Sequence, residues 1–177
     1  MIEKGVFMPT IKELRDFFLE MSRRGWAGGA PKTTIPELPG SKVIRLERDD
    51  LLYVDCYFSE GFKSHGFTGI WVQSVPAWMM DYHGFWVPDD KRVIPFWKRA
   101  LTAAYVKGEF RGGRGPEKFQ EGPLIYRNHL TRPSAKPMDP IELFTDFEGF
   151  EEICEGPELL AWHRFSGMML GVQMMPH

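Results

Sequence analysis

A carboxylate set between two phenols is the most reactive-looking pattern in the chain. The run Tyr53-x-Asp55-x-Tyr57 puts all three side chains on one side of a strand, because successive residues point to opposite faces. Tyr126-x-Asn128 echoes it later with the amide in place of the acid. Glu151 and His163 add a second carboxylate and an imidazole. On neighbouring strands these two would form an acid–base pair, the one catalytic candidate, with Asp55 or Tyr57 orienting a substrate. A structural hydrogen bond within a half-buried sheet is the commoner fate of such a pair. With the rings of Trp71, Trp78 and Tyr82, the predicted ligand-binding set is Tyr53, Asp55, Tyr57, Trp71, Trp78, Tyr82, Asn128, Glu151 and His163.

Other chemistries find less support. Five histidines occur, yet none stands in the HxH or HxxxH spacing that places two imidazoles on one ion, so no metal is expected. No serine elbow or Walker loop is present, and Gly25-Trp26-Ala27-Gly28-Gly29-Ala30 lacks the flanking strand and helix of a dinucleotide fingerprint; no cofactor is predicted. Cys56 and Cys154 lie in apolar runs and read as buried free thiols. Arg111 and Arg114, in a glycine-rich stretch, have the means to meet a phosphate, although a solvated loop is the more frequent outcome.

The elements that must position these groups are legible from periodicity. Thr10 and Glu13 form a capping box before Ile11, Leu14, Phe17, Phe18 and Met21, whose three- and four-residue spacing predicts an amphipathic helix ending near Gly25. Residues 25–40, rich in glycine and proline, read as a loop. Residues 42–58 and 66–86 read as four antiparallel strands, and 94–107 as a second helix closed by Gly108. The strand pattern then returns, with Leu46 answered by Phe119, Leu52 by Ile125 and Tyr53 by Tyr126 at one constant offset. Further on, Phe67-x-Gly69 answers Phe147-x-Gly149, with a proline-rich insertion at 131–140.

This predicts an α+β fold: a tandem pseudo-repeat of one helix plus about four antiparallel strands, its sheet or sheets backed by two helices. A single domain spans 1–177, with half-repeats over about 10–86 and 94–172. Strand alternation divides the side chains into an aliphatic face (Leu52, Val54, Cys56, Phe58, continued by Ile70 and Val72) and an aromatic one (Tyr53, Asp55, Tyr57, Phe67, Trp71, Trp78, Tyr82). The helices are expected to cover the aliphatic face, leaving the aromatic face to be buried between two half-sheets or in a homodimer, or to bind a ligand.

The 22 basic and 24 acidic residues leave a net charge of −2, which excludes attraction to a phosphate backbone; no nucleic-acid partner is expected. No run is long enough to cross a membrane and no signal-peptide core is seen, so a cytoplasmic location and no membrane partner are expected.

The strand motifs Tyr53-x-Asp55-x-Tyr57, Phe67-x-Gly69 and Trp78-x-Met80-x-Tyr82-x-Gly84, together with Trp26-Ala27-Gly28 and the echo Phe147-x-Gly149-x-Glu151, resemble a bacterial family known as the domain of unknown function DUF5680. The first Phe-x-Gly strand of that family ends in glutamate, where this chain has Trp71. The resemblance implies a sensor or effector module in those relatives that carry the domain behind a DNA-binding helix-turn-helix, and it implies no established activity. Three readings therefore stand open. They are a non-catalytic module binding a small organic ligand or a protein on its aromatic face, a small enzyme with a Glu151/His163 acid–base pair, and a structural homodimer without ligand.

Overall fold

Thr10 begins the first helix as its spacing predicts. Its backbone N–H donates to Glu13 Oε2 at 2.8 Å, and Glu13 N–H donates to Thr10 Oγ1 at 3.2 Å, so two otherwise orphaned donors are satisfied. The computed structural model describes residues 9–131 and 140–170. Its elements run α1 (Ile11–Arg24), β1 (Thr33–Ile35), β2 (Leu38–Arg48), β3 (Leu51–Glu60), β4 (Lys63–Val72), β5 (Val75–Trp86), α2 (Val93–Lys107), β6 (Lys118–Glu121), β7 (Leu124–Leu130), α3 (Pro140–Thr145), β8 (Asp146–Glu155) and β9 (Glu158–Met169). The fold is α+β. The described strands make one sheet in the order β1-β2-β3-β4-β5-β9-β8-β7-β6, every neighbour antiparallel.

Two-residue turns join most neighbouring strands, and a turn of that length fixes which residues share a face. Across Gly61-Phe62, Glu60 pairs with Lys63, so Asp55 stands opposite Thr68 and Tyr53 opposite Ile70. An odd-numbered residue of β3 therefore shares its face with an even-numbered residue of β4. This corrects the expected faces: Ile70 and Val72 join Tyr53 and Asp55, whereas Phe67, Gly69 and Trp71 turn to the opposite side with Leu52, Val54 and Cys56. Trp71 is thereby removed from the predicted ligand-binding set.

The helices also lie on the face opposite to the one expected. Phe18 of α1 meets the rings of Tyr53 at 6.3 Å and Trp78 at 4.8 Å, and Trp97 of α2 lies 4.5 Å from the ring of His163. The aromatic face is the inner one. Tyr53, Tyr57, Trp78 and Tyr82 are buried there, while Phe58 on the aliphatic side remains 38% exposed. Aromatic side chains carry the largest apolar area, so covering them with the ring-bearing stripes of α1 and α2 gains more than covering Val54 or Leu52.

Two further differences are local. Strand β1 forms inside the stretch read as a loop, where Ile35 N–H donates to Ser41 Oγ at 2.9 Å. A short helix, α3, precedes β8 and brings Phe144 against Trp78, the rings stacked at 5.1 Å. Most of the proline-rich insertion, residues 132–139, lies outside the described residues.

Candidate functional site

Three rows of inner-face residues cross the sheet. Ser59, Ser64, Gly84, His163, Glu151 and Asn128 form one. Lys42, Tyr57, Gly66, Tyr82, Phe165 and Gly149 form the next, and Ile44, Asp55, Thr68, Met80, Gly167 and Phe147 the third. Glycine at two crossings lets a neighbour lean across. A Cβ on Gly84 would stand 2.3 Å from His163 Cδ2, and one on Gly66 2.8 Å from Tyr82 Cζ. His163 thus reaches Ser64, with Nε2 at 3.0 Å from Oγ, and Tyr82 reaches Asp55, its hydroxyl donating to Oδ1 at 2.5 Å.

Between these rows and the two long helices lies a cavity of about 200 Å³. Its floor is made by Phe18, Tyr53, Asp55, Thr68, Met80, Tyr82 and Tyr105. Its mouth is the half-buried set Trp26, Ala27, Lys42, Ser59, Ser64, Trp86 and Ile94. Asp55, 4% exposed, accepts from Tyr82 and from Thr68 Oγ1 (3.3 Å), both at Oδ1; Oδ2 makes no hydrogen bond among the described residues. Burial raises its carboxyl to about 6, against the pull of the Tyr82 hydroxyl and the Arg114 charge. Burial and the Asp55 charge likewise push the Tyr57 phenol to about 12.

Arg114 enters from the glycine-rich loop, which is not solvated. Gly112 and Gly113 take left-handed conformations (φ 65° and 70°) that turn the chain inward, and a Cβ on Gly113 would lie 2.8 Å from Phe18 Cζ. The loop is then pinned from three sides. Tyr105 donates to Gly113 O at 3.0 Å, Tyr126 accepts from Gly115 N–H at 2.8 Å, and Asn128 Nδ2 donates to Arg111 O (3.0 Å) and Gly115 O (2.7 Å). Arg114, 9% exposed, donates through Nε (2.7 Å) and Nη2 to Glu151 Oε1, and its guanidinium lies over the rings of Tyr82 (5.4 Å) and Trp97 (6.0 Å). Burial alone would favour the neutral form, but Glu151 more than restores the charge.

Glu151 is fully buried behind the cavity wall, its Oε2 accepting from Tyr126 at 2.6 Å. His163 Nδ1 stands 3.8 Å from Glu151 Oε1 and has no hydrogen-bond partner among the described residues. Burial first, then the nearby charge of Arg114, hold the imidazole well below its ordinary pKa, so it is neutral at physiological pH.

Of the predicted set, Tyr53, Asp55, Tyr57, Tyr82 and His163 line the cavity. Glu151 and Asn128 do not; they hold Arg114 and its loop. Trp78 is core, stacked on Phe144 with Nε1 donating to Phe144 O at 2.9 Å, and Trp71 is on the outer face. Trp97, Tyr105, Lys42, Ser64 and Arg114 line the cavity without having been predicted as site residues. For Arg114 the clue is an arginine between glycines beside a buried Phe110; for Trp97 and Tyr105 it is polar-tipped rings on the helix stripe.

Fold and site together define an α+β protein with a ring-walled cavity between a nine-stranded antiparallel sheet and two helices. Its family is shown directly. Residues 55–170 match the family described as "Domain of unknown function (DUF5680)", and the chain belongs to that family. No curated protein and no solved structure matches it. Among the described residues no helix is long and apolar enough to cross a membrane, and no group of three His, Cys, Asp or Glu side chains is placed to hold a metal ion.

Proposed function

We propose that this chain is a small-molecule binding module whose site is the cavity between the inner sheet face and helices α1 and α2. One observation carries the reading: a buried carboxylate, Asp55, closes the floor of a ring-lined cavity with one oxygen that meets no donor among the described residues. Asp55 Oδ2 is not among the sealed, partnerless polar atoms of the described interior, so a ligand donor there takes the place of water and bonds a charged acceptor at the cavity floor. At about 200 Å³ the cavity is below the ~300–1,000 Å³ of drug-sized sites, and suits a single ring. The test is a ligand-observed NMR screen of single-ring metabolites, repeated on Ala27→Trp, which plugs the mouth. Binding to the wild type and loss in the variant support the proposal; no binding by the wild type ends it.

The site is built from two copies of a helix-plus-meander unit. Support comes from the register. Tyr53 and Asp55 stand in β3 as Tyr126 and Asn128 stand in β7, β5 and β9 meet as central antiparallel neighbours with Tyr82 opposite Phe165, and in this correspondence Thr68, not Trp71, answers Glu151. A second reading, an acid–base enzyme, draws on the 3.8 Å approach of His163 to Glu151. It is the weaker one, since Glu151 commits both oxygens to Arg114 and Tyr126 and does not line the cavity.

A further inference from the structure

The mouth and the floor of the cavity differ in charge. At the mouth, Lys42 Nζ bonds Ser59 Oγ and lies 5.8 Å from the Tyr57 ring; beside the mouth and outside the cavity lining, Lys98 Nζ lies 5.0 Å from the Trp26 ring. Lys32 is near enough that its charge adds to burial in depressing the ammonium of Lys98. None of these three lysines pairs with a carboxylate among the described residues. Unpaired cations in and beside one opening are not the general character of a chain whose net charge is −2. The cations deeper in are already cancelled: Arg114 by Glu151, while His163 is neutral. The floor instead presents an acceptor, Asp55 Oδ2.

Resting on the binding reading above, we propose that the ligand is a single-ring carboxylic acid with a hydrogen-bond donor at its far end. Its carboxylate meets Lys42 at the mouth, its ring lies between Tyr57 and Trp97, and its donor reaches Asp55 Oδ2. The orientation is imposed by charge. A carboxylate turned inward would face the Asp55 carboxylate in a water-poor space, where like charges repel most strongly. An amine in place of the acid would face the lysines or, turned inward to Asp55, would leave the lysines without an anion. The rings of Tyr57 and Trp97, both in the cavity lining, contribute apolar area without fixing direction.

Isothermal titration calorimetry on the full chain with 4-hydroxyphenylacetate, phenylacetate and tyramine tests this. Saturable binding of 4-hydroxyphenylacetate is expected, with phenylacetate weaker by about tenfold or more because a hydrogen bond to a charged acceptor is lost. Tyramine is expected to bind at least tenfold more weakly than 4-hydroxyphenylacetate, because in neither orientation does it give the lysines an anion. Lys42→Met, a half-exposed position that leaves the core intact, weakens the two acids by about tenfold. Asp55→Asn narrows the gap between them. Tyramine binding as tightly as the acids, or an unchanged affinity in Lys42→Met, overturns the proposal. Neutral benzyl alcohol separates the two failures. If it binds and the acids do not, the ligand class is wrong while the cavity still binds; if nothing binds, both readings fall.

Discussion

The two carboxylates of the inner face are buried alike and handled oppositely. Glu151 is matched by a guanidinium and a phenol, both oxygens occupied, and sits out of the cavity. Among the described residues Asp55 has only hydroxyl donors, both on one oxygen, and it fronts the cavity. A paired buried charge is a structural anchor, and breaking it leaves the partner stranded. A half-satisfied one is a reserve of unspent interaction, held at the cost of a raised pKa.

The largest effect that tests this contrast is Glu151→Ala. It strands the Arg114 cation and the Tyr126 hydroxyl in the interior and should cost about 3–5 kcal/mol in chemical unfolding. Replacing both partners, Arg114→Met with Glu151→Leu, should recover much of that loss. If the single change costs under about 1 kcal/mol, the anchor role is wrong.

Asp55→Asn should behave in the opposite way at neutral pH. A carboxyl raised from its ordinary value of 3.8 to about 6 binds its proton more tightly folded than unfolded. Its stabilising contribution is therefore full below pH 4 and fades as pH rises to 6, by about 3 kcal/mol over those two units. The amide removes that slope, so urea midpoints of wild type and variant should diverge between pH 4 and 6, the variant gaining relative stability as pH rises.

His163 works against Asp55 in the same window. Its folded-state pKa is depressed, so the unfolded chain takes up a proton that the folded one refuses, and stability falls as pH drops below 6.5. The groups facing the two are Tyr53, Tyr57, Thr68, Tyr82 and Tyr105 with Arg114 and Lys32 around Asp55, and Ser64, His83, Trp97, Arg114 and Glu151 around His163. A His163→Gln variant should expose the Asp55 slope that the wild type partly cancels, read from midpoints at pH 5 and 7. The smallest effect is Ser64→Ala, about 1 kcal/mol for one neutral hydrogen bond to His163 Nε2, measured by thermal unfolding.

Local rules reached far into this fold. The capping box, the apolar stripe of α1, the stop at Gly108 and the strand identities of Tyr53-x-Asp55-x-Tyr57 and Trp78-x-Met80-x-Tyr82 all follow from interactions within a few residues. Asp55, Tyr57, Tyr82 and His163 were also read onto one face, but His163 joins it through the pairing of β5 with β9, between residues far apart in the chain. Trp71 was misplaced because its orientation depends on the Gly61-Phe62 turn, which reverses the parity between β3 and β4. Trp78 has the right face but lies under Phe144 of a helix too short for periodicity to announce.

By itself, then, the amino-acid order determined what each segment is, because helix and strand periods and turn chemistry are set by near neighbours. Only the tertiary structure decided what each face meets. The covering of the aromatic side by α1 and α2, the burial of Arg114 against Glu151 and the open oxygen of Asp55 arise from contacts between residues far apart in the chain. Their energies rest on burial and charge pairing, which no local pattern encodes.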